Sequence, residues 1–175
     1  MAMTMTGEVQ LPAARGTVWA TLNDPGVLNA CIPGCEQLDK LSETEFYAIA
    51  VIKVGPVKAR WKGKVRLTDL DPPNGYRISG EGEGGVAGFA KGGATVVLSE
   101  KDGGTLLSYD VEAQIGGKLA QLGQRLVAGA SKKTAGEFFN RFAAIVSPAE
   151  TSEFARGGED VVNFGPQSSP EGEPR

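Results

Sequence analysis

The chain has 175 residues, a net charge of −3, 25 glycines, two cysteines and no histidine. That length allows one domain that buries about two-thirds of its unfolded surface, so no disulfide or metal is needed to hold it. The missing histidine excludes Ser-His-Asp and Cys-His catalysis and imidazole metal ligation, and the acidic balance argues against nucleic-acid binding. No run approaches the roughly 18 apolar residues that would span a bilayer. The start, Met-Ala-Met-Thr-Met-Thr, has neither the basic residues nor the apolar run of a signal peptide, so the expected location is the cytoplasm.

Residues 5–11 alternate weakly and read as a first strand. From Ala13 the period becomes helical, with Val18, Trp19 and Leu22 on one face. Asn23-Asp24-Pro25-Gly26 ends that helix and starts another, with Asp24 as cap and Pro25 in the first turn. The second helix stops at Pro33-Gly34. Cys31 and Cys35 flank this turn; the spacing is not C-x-x-C, and a zinc site would need two further ligands.

Strands follow without helical interruption: 35–41, 45–54, 57–67, 76–83, 89–100 and 105–115. The clearest is 57–67. Its odd positions run Val57, Ala59, Trp61, Gly63, Val65, Leu67; its even positions are Lys58, Arg60, Lys62, Lys64 and Arg66. Period two sends one set inward and five cations outward. Asp110 with Glu112, and Glu81 with Glu83, also fall on outer parity and are expected to oppose that basic row. Alternation with short turns means antiparallel hairpins, one face wet and one buried.

One helix, from about Lys118 to Val146, is expected to cover the buried face, with Leu119, Leu122, Leu126, Ala130, Phe138, Phe142 and Ile145 as its apolar stripe. Its glycines, Gly123, Gly129 and Gly136, predict a geometric use, because glycine within a helix costs about 1 kcal/mol against alanine. After Ser147-Pro148 the composition turns to Glu, Gly, Pro and Ser. Residues 148–175 are therefore expected to be a disordered acidic tail beyond a domain of residues 1–147. The fold class is α+β, a helix-grip arrangement: a curved antiparallel sheet of about seven strands around a long C-terminal helix, with two short helices after strand one.

Ala48, Ala50, Ala59, Gly63, Gly80, Gly82, Ala94 and Ala113 take inward parity. Residues this short leave volume where a filled core would carry Leu, Ile and Phe. The expected ligand chamber is lined by Leu22, Leu28, Ile32, Ala48, Ala50, Trp61, Gly80, Phe89, Val96, Tyr109, Val111, Leu119, Leu122 and Leu126. The alternative is close helix–sheet contact with no space left.

Gly80-Glu-Gly-Glu-Gly-Gly85 matches G-x-G-x-x-G in form only; it leads into a strand, and its carboxylates would repel a pyrophosphate. Asp69, Asp71 and Asn74 lack the glycine and glutamate of a calcium loop. No metal site is expected, and no catalytic residue is assigned. Two basic sets are candidates for docking a partner or a membrane surface: Lys58, Arg60 and Lys62 on the strand, and Lys118, Arg125 and Lys132 at seven-residue steps on the helix. The plainer reading of both is a solvated face.

Val18-Trp19-Ala-Thr-Leu-Asn-Asp-Pro25 followed by Cys31-Ile-Pro-Gly-Cys-Glu36, together with Gly116-Gly-Lys-Leu-Ala-Gln-Leu-Gly123 and Phe138-Phe139, resembles the CoxG-like family, the G-subunit family of carbon monoxide dehydrogenase. That family sits in the START-like (SRPBCC) helix-grip superfamily. The resemblance covers about residues 5–146. It implies a non-enzymatic accessory protein of a molybdenum hydroxylase, such as aerobic carbon monoxide dehydrogenase. It also implies binding of a hydrophobic molecule, a quinone or lipid, and help in bringing the enzyme to the inner face of the membrane. Many relatives end in an apolar anchor, which this sequence lacks, so any membrane contact is expected to be transient. The rival readings are a ligand-free assembly module for the same enzyme and, ranked last, a superfamily cyclase or hydrolase.

Overall fold

The computed structural model describes residues 1–147; the acidic tail and the domain boundary expected at its start lie outside the described residues. In chain order the elements are β1 (Ala2–Leu11), α1 (Arg15–Leu22), α2 (Pro25–Cys31), β2 (Cys35–Ser42), β3 (Glu45–Val54), β4 (Val57–Asp71), β5 (Gly75–Glu83), a 3-10 turn (Gly85–Ala87), β6 (Phe89–Lys101), β7 (Gly104–Gly116), α3 (Lys118–Gln121) and α4 (Gln124–Val146). The seven strands form one antiparallel sheet in the order β1-β7-β6-β5-β4-β3-β2. This is the expected helix-grip plan.

Local chemistry accounts for the helix starts. The Asp24 carboxylate accepts from the backbone N–H of Gly26 at 2.9 Å and of Val27 at 3.4 Å, with Pro25 in the first turn, a typical side-chain cap. The C-terminal helix differs from the single span expected at 118–146. It breaks at Gly123, whose φ of +94° belongs to the region where a Cβ is strained. The break resets the helical phase. Val127, Phe142 and Val146 face inward and are buried, while Leu126 and Ile145, expected in the stripe, are each 43% exposed.

The core divides into two clusters. One, at the α1/α2 end, holds Leu11, Val18, Leu22, Leu67, Leu98, Leu107 and Phe142. The other, at the opposite end of the sheet, holds Met3, Val54, Ile115, Leu119 and Val127, with Trp61 and Leu122 against it. Helix α4 bridges them. Its main backbone neighbours are α2, β1, α1, α3 and β3; the central strands β4–β7 are not among them. The helix thus rests on the two sides of a curved sheet and stands off its middle.

The middle of the sheet is where the short residues gather. Across the inner face, Val65, Gly80, Gly92 and Ala113 are successive register partners, as are Ala48, Gly63, Gly82 and Ala90. A side chain at Gly92 would collide with the Glu112 carbonyl, and one at Gly93 with the Ile78 carbonyl. The Gly92-Gly93 pair therefore lets neighbouring backbones approach where the sheet coils. The helix glycines behave otherwise. Gly129 and Gly136 have no atom outside their own helix near the position a Cβ would take, so the geometric use expected for them is absent.

Candidate functional site

Between the helix and the sheet, at the α1/α2 end, lies an apolar chamber of about 320 Å³. Its sheet wall carries Leu38, Phe46, Ala48, Val65, Leu67, Tyr76, Ile78, Val96, Leu107 and Tyr109. Leu22, Leu28 and Ile32 close it from the short helices, and Phe138 and Phe139 from α4. Parity explains the sheet set: each residue sits on the inner face of its strand. Residue size explains the space, because Ala48 has Leu38 on one side and Gly63 on the other.

Aromatic rings frame one wall. Tyr109 stacks on Phe139 at 5.6 Å, and Phe138 meets Phe139 edge-on at 5.0 Å. Tyr76 meets Trp19 edge-on at 5.3 Å. The Tyr109 ring lies across Gly7 of β1, where any side chain would strike it. The lining contains no charged side chain, and its side-chain polar atoms are the hydroxyls of Tyr76 and Tyr109. Neither hydroxyl makes a hydrogen bond with a described residue, and neither is sealed from accessible space. Burial pushes the Tyr76 phenol up to about 12, so it is neutral and a donor at physiological pH.

The chamber continues into a second, shallower space. Val65 and Ile78 line both, and beyond them an open trough of about 360 Å³ runs along Gly63, Gly80, Gly82, Ala90, Gly92, Ala94, Val111 and Ala113. The trough is the uncovered middle of the sheet, pointing toward the second core cluster.

The expected lining residues divide accordingly. Leu22, Leu28, Ile32, Ala48, Val96 and Tyr109 line the chamber. Gly80 and Val111 line the trough. Trp61, Leu119 and Leu122 belong to the second cluster, and Ala50, opposite Trp61, is buried without lining either space. Two placements need correction. Phe89 pairs with Glu83 on the convex face, is 50% exposed, and lies over Gly116. Leu126 sits outside, against Gly55 in the β3–β4 turn. The largest omission is Phe139, which lies one residue beyond the expected helix stripe. Leu38, Phe46, Val65, Leu67, Tyr76, Ile78, Leu107 and Phe138 also line the chamber outside the expected set; strand parity finds the strand residues among them, and the helix stripe finds Phe138.

The convex face is charged and wet. Arg60 pairs with Glu36 at 3.1 Å and Arg66 with Glu45 at 3.0 Å. Glu81 and Glu83 stand opposite Lys64 and Lys62 as expected. Glu112 instead pairs with Arg77, and Asp110 stands opposite Thr95, so neither faces the β4 row. A larger depression of about 530 Å³ on this face is walled by Lys64, Arg66, Arg77, Glu81 and Glu112 and is open, ion-paired surface. Lys58, Lys62, Lys118, Arg125 and Lys132 are exposed, with no ion pair to a described residue.

Cys31 is buried and Cys35 half-buried, both free, and burial pushes both thiols up. This suppresses the thiolate and its chemistry. Among the described residues there is no group of three or more acidic or thiol side chains able to hold a metal. No described helix is long and apolar enough to cross a membrane.

Residues 7–147 match the family model that describes CoxG, the G subunit of carbon monoxide dehydrogenase. The chain belongs to the CoxG family. The match takes in every element from the end of β1 to α4, including all residues of the chamber. No curated protein matches the chain. Among solved structures, a conserved protein from Geobacillus kaustophilus is 31% identical with a TM-score of 0.79, over 84% of this chain and 97% of that one. A START superfamily protein from Mycobacterium smegmatis shares the fold at 11% identity and a TM-score of 0.64, over 83% and 98% of the two chains. The Zhui aromatase/cyclase from Streptomyces sp. R1128 does so at 13% and 0.61, over 90% and 99%. At such identities the last two speak for the fold alone.

Proposed function

We propose that this member of the CoxG family is a non-enzymatic carrier. It takes a hydrophobic molecule into the gripped chamber in the service of a molybdenum hydroxylase of the carbon monoxide dehydrogenase type, and aids that enzyme's association with the membrane. One observation carries the ligand reading: a chamber of about 320 Å³ whose wall is hydrocarbon except for two phenols. An apolar space of this kind has no use for water, and its volume is at the lower end of the ~300–1,000 Å³ of small-molecule sites. It suits one ring or a short chain, with any longer tail lying along the trough. The stacked Tyr109 and Phe139 rings favour a flat head such as a quinone, and the two phenols are donors for a carbonyl. The family's description as a carbon monoxide dehydrogenase subunit supports the partner reading, and the membrane role is part of the proposal on the strength of the sequence resemblance alone.

A binding function also fits the chemistry of the wall. A general acid–base pair requires tunable groups within reach of the reacting atom, and the chamber offers two phenols and no carboxylate.

The test is extraction of the purified full-length chain with organic solvent, followed by mass spectrometry, and titration with decylubiquinone. Trp19 touches Tyr76 of the chamber wall, so its fluorescence is expected to quench on binding, with Trp61→Phe isolating the signal. A clean extract together with no saturable quenching by decylubiquinone or a fatty acid refutes the carrier reading.

A further inference from the structure

Helix α2 is the most lightly held wall of the chamber. It turns Leu28 and, at its C-terminal cap, Ile32 toward the ligand space; the two lie one helical turn apart on one face. Of its seven residues Cys31 alone is fully buried. Among the described residues, no hydrogen bond or ion pair ties residues 25–31 to another element, and the Asp24 cap serves the helix itself. Its main neighbours are α4 and β2, and β2 is an edge strand whose register against β3 slips twice. Apolar contacts from Val27, Leu28 and Cys31 hold it to the first core cluster.

Helix α1 is fastened differently. Arg15 at its start donates to the Asn74 side-chain carbonyl and lies 3.6 Å from Glu100. The buried Thr105 hydroxyl donates to the Ala13 carbonyl at 2.7 Å, and Val18 and Leu22 are buried. Both ends of α2 therefore join fixed structure. Before it, the Asn23 side chain donates to the Trp19 carbonyl at 2.9 Å and its backbone N–H to the Ala20 carbonyl at 3.2 Å. Beyond it, the Gly34 carbonyl accepts from the Val51 N–H at 2.9 Å. Gly34 has φ +76°, and a Cβ there would strike the Val51 carbonyl, so this anchor requires glycine.

We infer that α2 is the lid of the chamber: it lifts as a unit between Asn23 and Gly34, takes Leu28 and Ile32 out of the wall, and admits the ligand beneath it. Lifting breaks apolar contacts and leaves the hydrogen bonds of α1 and β3 intact. A segment with few buried side chains and no outside hydrogen bonds opens at a lower free energy than the whole domain. The lid rests on the carrier reading and names the route its ligand takes.

Cys31 reports the opening, because it has no exposed surface while α2 is closed. In the full-length Cys35→Ser chain it is the remaining thiol, and its labelling by iodoacetamide is followed across urea concentrations. Labelling is expected to depend on urea more weakly than global unfolding does. Val27→Ala thins the apolar hold and is expected to speed labelling about fivefold. Val54→Ala, in the second core cluster, is expected to lower Tm and leave labelling unchanged. The association rate of decylubiquinone, read by Trp19 fluorescence, is expected to rise about fivefold in Val27→Ala and to stay constant in Val54→Ala. Labelling that tracks global unfolding in urea overturns the lid, as does labelling that Val54→Ala speeds as much as Val27→Ala. An association rate that Val27→Ala leaves unchanged also overturns it, and directs entry along the trough. The urea dependence in Cys35→Ser needs no second substitution, so the lid stays testable if Val27→Ala fails to fold. Equilibrium titration with decylubiquinone separates the two readings. Local opening with no saturable ligand binding removes the carrier and supports the opening of α2; ligand binding with labelling solely through global unfolding removes the lid and leaves the carrier.

Discussion

Ala48→Leu distinguishes a vacant chamber from a packed core. Ala48 lines the chamber and is flanked across the strands by Leu38 and Gly63, with Gly82 beyond. Leucine adds three carbons. At about 0.8 kcal/mol per buried methylene the gain is at most ~2.4 kcal/mol, less about 0.5–1 kcal/mol of lost rotamer freedom. The variant is therefore expected to be more stable by about 1–2 kcal/mol in urea unfolding. That corresponds to a rise of roughly 2–8 °C in Tm for a chain of this size. The same leucine overpacks the liganded chamber, a cost of about 1–3 kcal/mol. Decylubiquinone binding is then expected to weaken roughly 5- to 150-fold. A stabilised protein with weakened binding is the signature of filled space. Destabilisation by 1–3 kcal/mol with binding unchanged would mean that Ala48 already sits in a closed core, and the chamber argument would fail.

Two further outcomes follow from named environments. Tyr76 is raised by burial to about 12 from an ordinary value of 10, so above pH 10 the unfolded chain releases this proton before the folded one does. Stability is expected to be intact below pH 10 and to fall by about 2–3 kcal/mol between pH 10 and about 12; Tyr76→Phe should remove that part of the loss, read by urea unfolding across the range. Gly129→Ala and Gly136→Ala meet no neighbouring atom on exposed turns of α4 and should each stabilise by about 0.4–1 kcal/mol. Gly117→Ala, at φ +80° against the Gly88 backbone, should destabilise by more than the helix variants gain.

Strand parity is a local property, and it was legible wherever the chain ran straight. The alternation of 57–67 identified β4, its inner residues and its outer cations, because successive side chains must point to opposite faces. The same rule, applied strictly to 89–100, puts Phe89 outside once Ala94 and Val96 are inside. Leu126 and Phe139 are another matter. Their positions depend on where the helix period restarts after Gly123, and a glycine in a helical sequence gives no sign of whether it breaks the helix or merely weakens it.

Composition and period therefore decided the element types, the antiparallel sheet, the concentration of short residues on its inner face and the absence of imidazole chemistry. Each follows from residue type and spacing within one segment. Where α4 lies across the curved sheet decided the rest: which short residues face a gap and which face the second core cluster. Those outcomes rest on contacts between residues far apart in the chain, which no local pattern encodes. The chamber exists because the helix is held chiefly at α2 and β1 and its backbone stands off the central strands, which it meets through long side chains such as Tyr109 on Phe139 and not through the short residues beside them.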